Sequence, residues 1–167
     1  LKLVQQARLN GRIVRTALTK EAWQAINNLW LAMEKSLKRP INARDLPQIL
    51  SQVRQGNELV RGALDGTMLR NDIFNFIQLG TLVERGDNTA RLIYARHFLF
   101  SPSPSVLHQK NGLAHWDMVM SAIGAKRAYN WLHKGRMEGP RVLNFLIADQ
   151  RMPRSLIYCY TNIVRQM

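Results

Sequence analysis

Apolar residues recur along almost the whole chain at spacings of three and four, the period of an amphipathic helix, and nowhere do they alternate over a length useful for a strand. A first helix is predicted from the start of the chain to about Thr16, with Leu1, Leu3, Val4 and Ala7 already in register. Thr19 is placed to cap a second helix, and Glu21 suits its positive end. Trp23, Ile26, Leu29, Trp30, Met33 and Leu37 form its apolar face before Pro40 stops it. A third helix starts near Asp45, takes Pro47 in its first turn and runs through Ile49, Leu50, Val53 and Leu59 to Gly66. Gly56, Gly62 and Gly66 inside it each cost about 1 kcal/mol against alanine, so close helix contact or a bend is expected there.

The fourth predicted helix, Asn71 to Phe98, sets a puzzle. Ile73, Phe76, Ile77, Gly80, Val83, Ala90 and Phe98 fall near one 3.6-residue stripe, and Glu84, Asn88 and Arg91 lie on or beside that stripe. If the stripe is buried, those polar groups need partners. The segment 100–112, opening on SPSPS, is expected to be an extended surface loop, because each X-Pro step disfavours helix. Shorter helices follow at about 113–122, 125–134, 139–149 and 153–166, with Pro140 and Pro153 in first turns. The expected fold is all-α, an antiparallel bundle of long helices with shorter C-terminal helices.

With 167 residues the chain fits one helical domain, expected to span 1–167 and to bury roughly 70% of its unfolded-chain surface. The helical register at Leu1 makes it an expected fragment of something longer. A single cysteine, Cys159, leaves no internal disulfide and no CxxC metal knuckle. With no apolar run of about 18 residues and no signal peptide, the expectation is a cytoplasmic protein with no membrane partner. The net charge of +13 sits at the two ends. Residues 1–44 carry nine Lys or Arg against Glu21 and Glu34, residues 118–167 carry eight against Glu138 and Asp149, and the middle balances seven against seven. Such a surface could attract nucleic acid, but its bases are scattered, aromatics are sparse and no RNA- or DNA-binding module occurs, so that alternative ranks low.

Several segments together carry a resemblance. ThrMetLeuArg at 67–70, Phe76, Leu79 and Gly80, and GluArgGlyAspAsnThrAlaArg at 84–91 form its centre. ArgLeuAsnGlyArgIleValArg at 8–15, TrpGlnAlaIleAsn at 23–27, Trp116, Tyr129, ValLeuAsnPheLeu at 142–146 and ProArgSer at 153–155 follow the same order. The chain resembles the alpha-E domain family, bacterial helical proteins of unknown function, and corresponds to the latter part of that domain. Leu9 stands where the family often has Glu, and Gly11 where it often has Ala. The resemblance implies a non-catalytic partner or accessory module for ATP-grasp-type ligases and transglutaminase-like proteins in peptide-modification systems. It carries no established reaction and no cofactor. The residues it marks in this chain are Arg8, Asn10, Arg12, Arg15, Thr67, Arg70, Glu84, Arg85, Asn88, Arg91, Arg154 and Ser155.

The residues themselves suggest a shape for that set. Arg8, Arg12 and Arg15 stand at i, i+4 and i+7, so three guanidinium groups share one helical face and repel unless an anion meets them. Glu84 is the expected partner, since a carboxylate accepts a bidentate pair of bonds from guanidinium. One Glu cannot neutralise three Arg, which leaves open an anion- or peptide-binding site, or an enzyme, built around Glu84, with a peptide or an acidic small molecule as ligand. The alternative is that these groups only tie helices together, in which case losing Glu84 would cost about 3 to 5 kcal/mol. Metal binding is not expected, because Glu84 and Asp87 lack a GluxxHis companion and His97, His108, His115 and His133 sit in or near loops and helix ends. Cys159 reads as an inert core thiol, Ser155 as a first-turn residue, and Trp23, Trp30, Trp116 and Trp131 as packing.

Overall fold

The structure, a computed structural model, describes residues 2–99 and 107–167, with side chains described for 2–95 and 114–167. The described residues are all-α. Eight helices follow one another: α1 Lys2–Ile13, α2 Lys20–Ser36, α3 Leu46–Thr67, α4 Asp72–Leu99, α5 Leu107–Ala122, α6 Lys126–His133, α7 Gly139–Ala148 and α8 Leu156–Gln166. The long helices come first and the shorter ones last, as the sequence pattern predicts. The expected loop 100–112 lies outside the described residues as far as 106, and Leu107–Gly112 belong to α5, which therefore starts earlier than the proline-rich segment suggests. The chain divides into two compact units, Leu1–Phe74 and Asn75–Met167, and each is described separately.

In the first unit α2 and α3 form an antiparallel hairpin pinned by polar bonds at both ends. Ser36 Oγ donates to Gln52 Oε1 at 2.8 Å beside the connecting turn. At the far end Thr67 Oγ1 donates to the Ala63 carbonyl at 2.6 Å, which spends its proton, so Thr19 is the donor in the 2.6 Å bond between the two threonine hydroxyls. Thr19 at the same time caps α2, accepting from the Ala22 N–H at 3.3 Å, as expected from sequence. α1 lies against α2, with buried Gly11 next to Ile26, Leu18 and Trp23. A methyl at Gly11 would sit 3.5 to 3.7 Å from those side chains, ordinary contact that leaves room for an alanine. α1 ends at Ile13 rather than near Thr16, and Arg15–Ala17 form a single 3₁₀ turn.

The second unit has its core where α5, α6 and α7 meet. Trp116, Val119 and Met120 from α5 and Ile123 just after it pack with Tyr129, Val142, Phe145 and Leu146, and Leu92 and Ile93 of α4 lie against them. Tyr129 satisfies its buried hydroxyl on the Arg136 carbonyl at 3.0 Å and meets Phe145 edge-on at 5.4 Å. That carbonyl is delivered by a tight stop after α6, where Lys134 and Gly135 turn left-handed at φ 49° and 73° and the Gly135 N–H returns to the Asn130 carbonyl. Trp116 is buried as expected. Trp131 is not: it is 87% exposed, because it stands two residues from Tyr129 on so short a helix and therefore points away from that core.

The glycines of α3 separate by environment. A Cβ on Gly56 would overlap the Leu29 side chain of α2, whereas nothing lies within 4 Å of the same atom on Gly62. Gly62→Ala should therefore raise stability in urea denaturation by roughly 0.5 to 1 kcal/mol through helix propensity alone. Gly56→Ala should lower it by about 1 to 3 kcal/mol despite the same propensity gain, because Leu29 must be displaced.

Candidate functional site

The face of α4 that enters the protein is not the one its apolar stripe suggests. Leu82 and Thr89 are buried, with Gln78, Thr81, Arg85, Leu92 and Ile93 half-buried beside them. Ile73, Phe76, Gly80, Val83, Asp87, Ala90 and Tyr94 are exposed, Phe76 at 72% and Val83 at 56%. Glu84, Asn88 and Arg91 are exposed with them, so they need no buried partners. The expectation fails because α4 is apolar on both faces, and periodicity cannot choose between two such faces. The exposed positions step by three and four alternately over 73–94, the heptad spacing of a helix-pairing seam. Asp87 within it is bridged by Arg91 Nε at 2.7 Å, an i,i+4 pair that holds the Arg91 guanidinium pKa above its ordinary value.

On the buried side the GluArg signature meets the ProArgSer segment. Thr89, with no exposed surface, donates its hydroxyl to the Arg154 carbonyl at 2.8 Å across 65 residues of sequence. Ser155, equally buried, caps α8 by accepting from the Tyr158 N–H at 3.1 Å, and its own proton goes to the Asp149 carbonyl at 2.7 Å. The turn from Asp149 to Ser155 is tightened again at the Asp149 carboxylate, which accepts from Arg151 Nη2 at 2.7 Å, Nε at 3.0 Å and N–H at 2.9 Å. These bonds from Arg151 hold the Asp149 carboxyl below the usual carboxylate range.

Cys159 closes the joint. It is buried, its Sγ reaches the Pro153 carbonyl at 3.8 Å, and a Cβ on Gly86 would sit 3.5 Å from its own Cβ, so α4 and α8 approach closely at that point. Burial pushes the Cys159 thiol above its ordinary pKa. The Arg85 and Arg154 guanidinium groups oppose that rise and the Glu84 carboxylate adds to it. Arg85 is half-buried, and its Nε makes no hydrogen bond among the described residues. Thr89, Arg154 and Ser155 of the signature segments thus meet at the joint between α4 and α8. Cys159 is a core residue, as expected from sequence, whereas Thr89 carries no expectation there although its place within the GluArgGlyAspAsnThr string is a signal.

The remaining predicted residues act inside the first unit. Arg8 does not wait for a carboxylate: its Nε donates to Asn27 Oδ1 at 2.8 Å and its guanidinium lies 4.2 Å from the Trp30 ring centre. Arg15, exposed on the 3₁₀ turn, stands 5.4 Å from the Trp23 ring centre. Arg12 is exposed in the last turn of α1, and Asn10 accepts from Gln6 at 2.9 Å. The aromatic faces of α2 therefore receive the outer two members of the row expected to need an anion. Thr67 belongs to the hairpin pin already described, and Arg70 bonds the Asp65 carbonyl at 2.6 Å while covering the Phe74 ring at 3.9 Å. Among the described residues no group of three His, Cys, Asp or Glu is placed to hold a metal ion, and no helix is long and apolar enough to cross a membrane.

An all-helical chain organised around a single GluArg dipeptide at Glu84 and Arg85 is a helical domain of a definable kind. The profile of the Alpha-E family, described as a predicted alpha-helical domain with a conserved ER motif, matches residues 1–167, and the chain belongs to that family. No curated protein and no solved structure matches the chain.

Thr89→Val should cost about 1 to 3 kcal/mol in urea denaturation, because it removes the buried donor to the Arg154 carbonyl, and Ser155→Ala about 1 to 2 kcal/mol through loss of the cap. Glu84→Ala should stay within about 0.5 kcal/mol of the parent chain, as expected for an exposed side chain. The Cys159 thiol sets a pH dependence with a definite sign. A group with a folded pKa above its unfolded one stabilises fully below the unfolded value and loses that contribution as pH rises through the folded value. Stability should therefore fall as pH rises past about 8.5, the ordinary thiol pKa, and Cys159→Ala should flatten that fall in denaturation curves taken from pH 7 to 10.

Proposed function

We propose that this chain is a non-catalytic partner module that recognises another protein through the exposed seam of α4, with an ATP-grasp-type ligase or a transglutaminase-like protein of a peptide-modification system as the partner. The observation that carries the reading is the seam itself: Phe76, Gly80, Val83 and Ala90 exposed at heptad spacing on the helix that bears the ER motif. Contiguous apolar surface with charged neighbours is the usual mark of a helix-docking face, and small residues at Gly80 and Ala90 let a second helix come near. Glu84 and Arg91 border the seam and Asp87, bridged to Arg91, lies within it, and these charges would set orientation rather than affinity. The buried half of the signature supports the same division of labour, because Thr89 and Ser155 are occupied in joining α4 to α8. The choice of partner class rests on the family resemblance.

Biolayer interferometry against a purified ATP-grasp-type ligase from the same genome neighbourhood checks the proposal. Val83→Glu and Phe76→Glu should each weaken binding at least about tenfold, the size expected for central interface anchors, while the melting temperature stays within about 2 °C of the parent chain. Undiminished binding by both variants would overturn the seam, and no binding by the parent chain to either partner class would overturn the choice of partner.

A further inference from the structure

The structure points to a second, separate docking surface: we infer that the groove between α2 and α3 receives a basic amphipathic helix of a partner protein. The groove encloses about 750 Å³ and is built wholly from the first unit. Its walls are one face of each helix, positions 21, 24, 25, 28, 29 and 32 of α2 and 52, 55, 56, 59, 62 and 63 of α3. α1 takes the other side of α2, through Gly11 against Trp23 and Ile26 and through Arg8 on Asn27 and Trp30, and does not fill it. The floor is small and apolar, made by Ala25, Leu29, Ala32, Leu59, Gly62 and Ala63, and Leu59 is left 69% exposed.

Gly62 is the independent sign. Glycine in a helix interior costs about 1 kcal/mol against alanine, and that cost is normally explained by a backbone turn or a tight neighbour. Gly56 has such a neighbour in Leu29. Gly62 has neither a positive φ nor any atom of this chain within 4 Å of where its Cβ would be, yet it faces the groove. A glycine there lets another helix axis approach more closely than the usual 8 to 10 Å.

Charge selects the occupant. The chain carries 24 Lys and Arg against 11 Asp and Glu, yet none of those bases lines the groove. Its only charged lining residues are Glu21 and Glu58, set among Gln24, Asn28, Gln52 and Gln55. An acid-only rim on a chain of net charge +13 favours a helix with basic flanks and repels an acidic one. The α4 seam takes no part, so this surface and the one proposed above succeed or fail separately.

The test is fluorescence anisotropy of two labelled synthetic helices of about 20 residues, each with Leu and Ala on one face, one flanked by Lys and one by Glu, titrated with the full chain. The Lys-flanked helix should bind at least about tenfold more tightly than the Glu-flanked one, and Glu21→Gln with Glu58→Gln should narrow that ratio. Gly62→Leu should weaken binding at least about tenfold while leaving the melting temperature equal or higher, since leucine is a good helix former and its Cβ would lie in open space. Equal binding of the two peptides, undiminished binding by the Gly62→Leu chain, or no binding of either peptide would overturn the inference. Sedimentation of the chain alone supplies the last arm: a dimer abolished by Gly62→Leu would make a second copy the occupant and overturn it as well.

Discussion

The hydroxyl of Thr89 is fully removed from water, and one acceptor answers it, the backbone carbonyl of Arg154. A buried hydroxyl without such a partner costs more than the bond contributes, so this contact fixes the rotation of α4 about its own axis. Once Thr89 points inward, the geometry of 100° per residue turns Leu82, Arg85 and Leu92 inward with it and sends Val83, Asp87, Ala90 and Tyr94 outward. The close approach of Gly86 to Cys159 belongs to the same rotation. The carbonyl is in turn held in place by the Asp149–Ser155 turn, where Ser155 caps α8 with one lone pair and ties the turn with its proton.

The first unit solves an equivalent problem with different chemistry. Arg8 and Arg12 on α1 and Arg15 on the turn after it require either an anion or a surface that tolerates cations. Trp30 and Trp23 supply the second, offering the negative faces of their rings to Arg8 and Arg15, and Asn27 takes an Arg8 proton besides. A carboxylate would have brought a desolvation penalty that the indole rings avoid. The α2–α3 hairpin is likewise held by neutral hydroxyl and amide groups at its ends, which leaves the charges of this unit to the surface.

Local signals in the sequence were legible where they act locally. Thr19 as a cap and proline in the first turns of α3 and α7 need only neighbouring residues, and their helices fall close to the predicted ranges. The family resemblance was legible too, since GluArgGlyAspAsnThrAlaArg and ProArgSer are contiguous strings. What failed was the choice of face on α4. Phe76, Val83 and Ala90 look as fit for a core as Leu82, Leu92 and Ile93, and only the distant Arg154 carbonyl and the α5–α7 core decide between them. The Arg–Trp contacts were hidden for the same reason, because Trp30 is as plausible a core residue as a cation platform until α1 and α2 are placed together.

The ER motif then acquires a physical meaning from position alone. Consecutive helical residues point 100° apart, so Glu84 and Arg85 cannot share one environment. Arg85 lies half-buried, while Glu84 stands on the exposed border of the seam, and their charges act on the Cys159 thiol in opposite directions. The dipeptide therefore straddles the line between what holds the second unit together and what it presents outward.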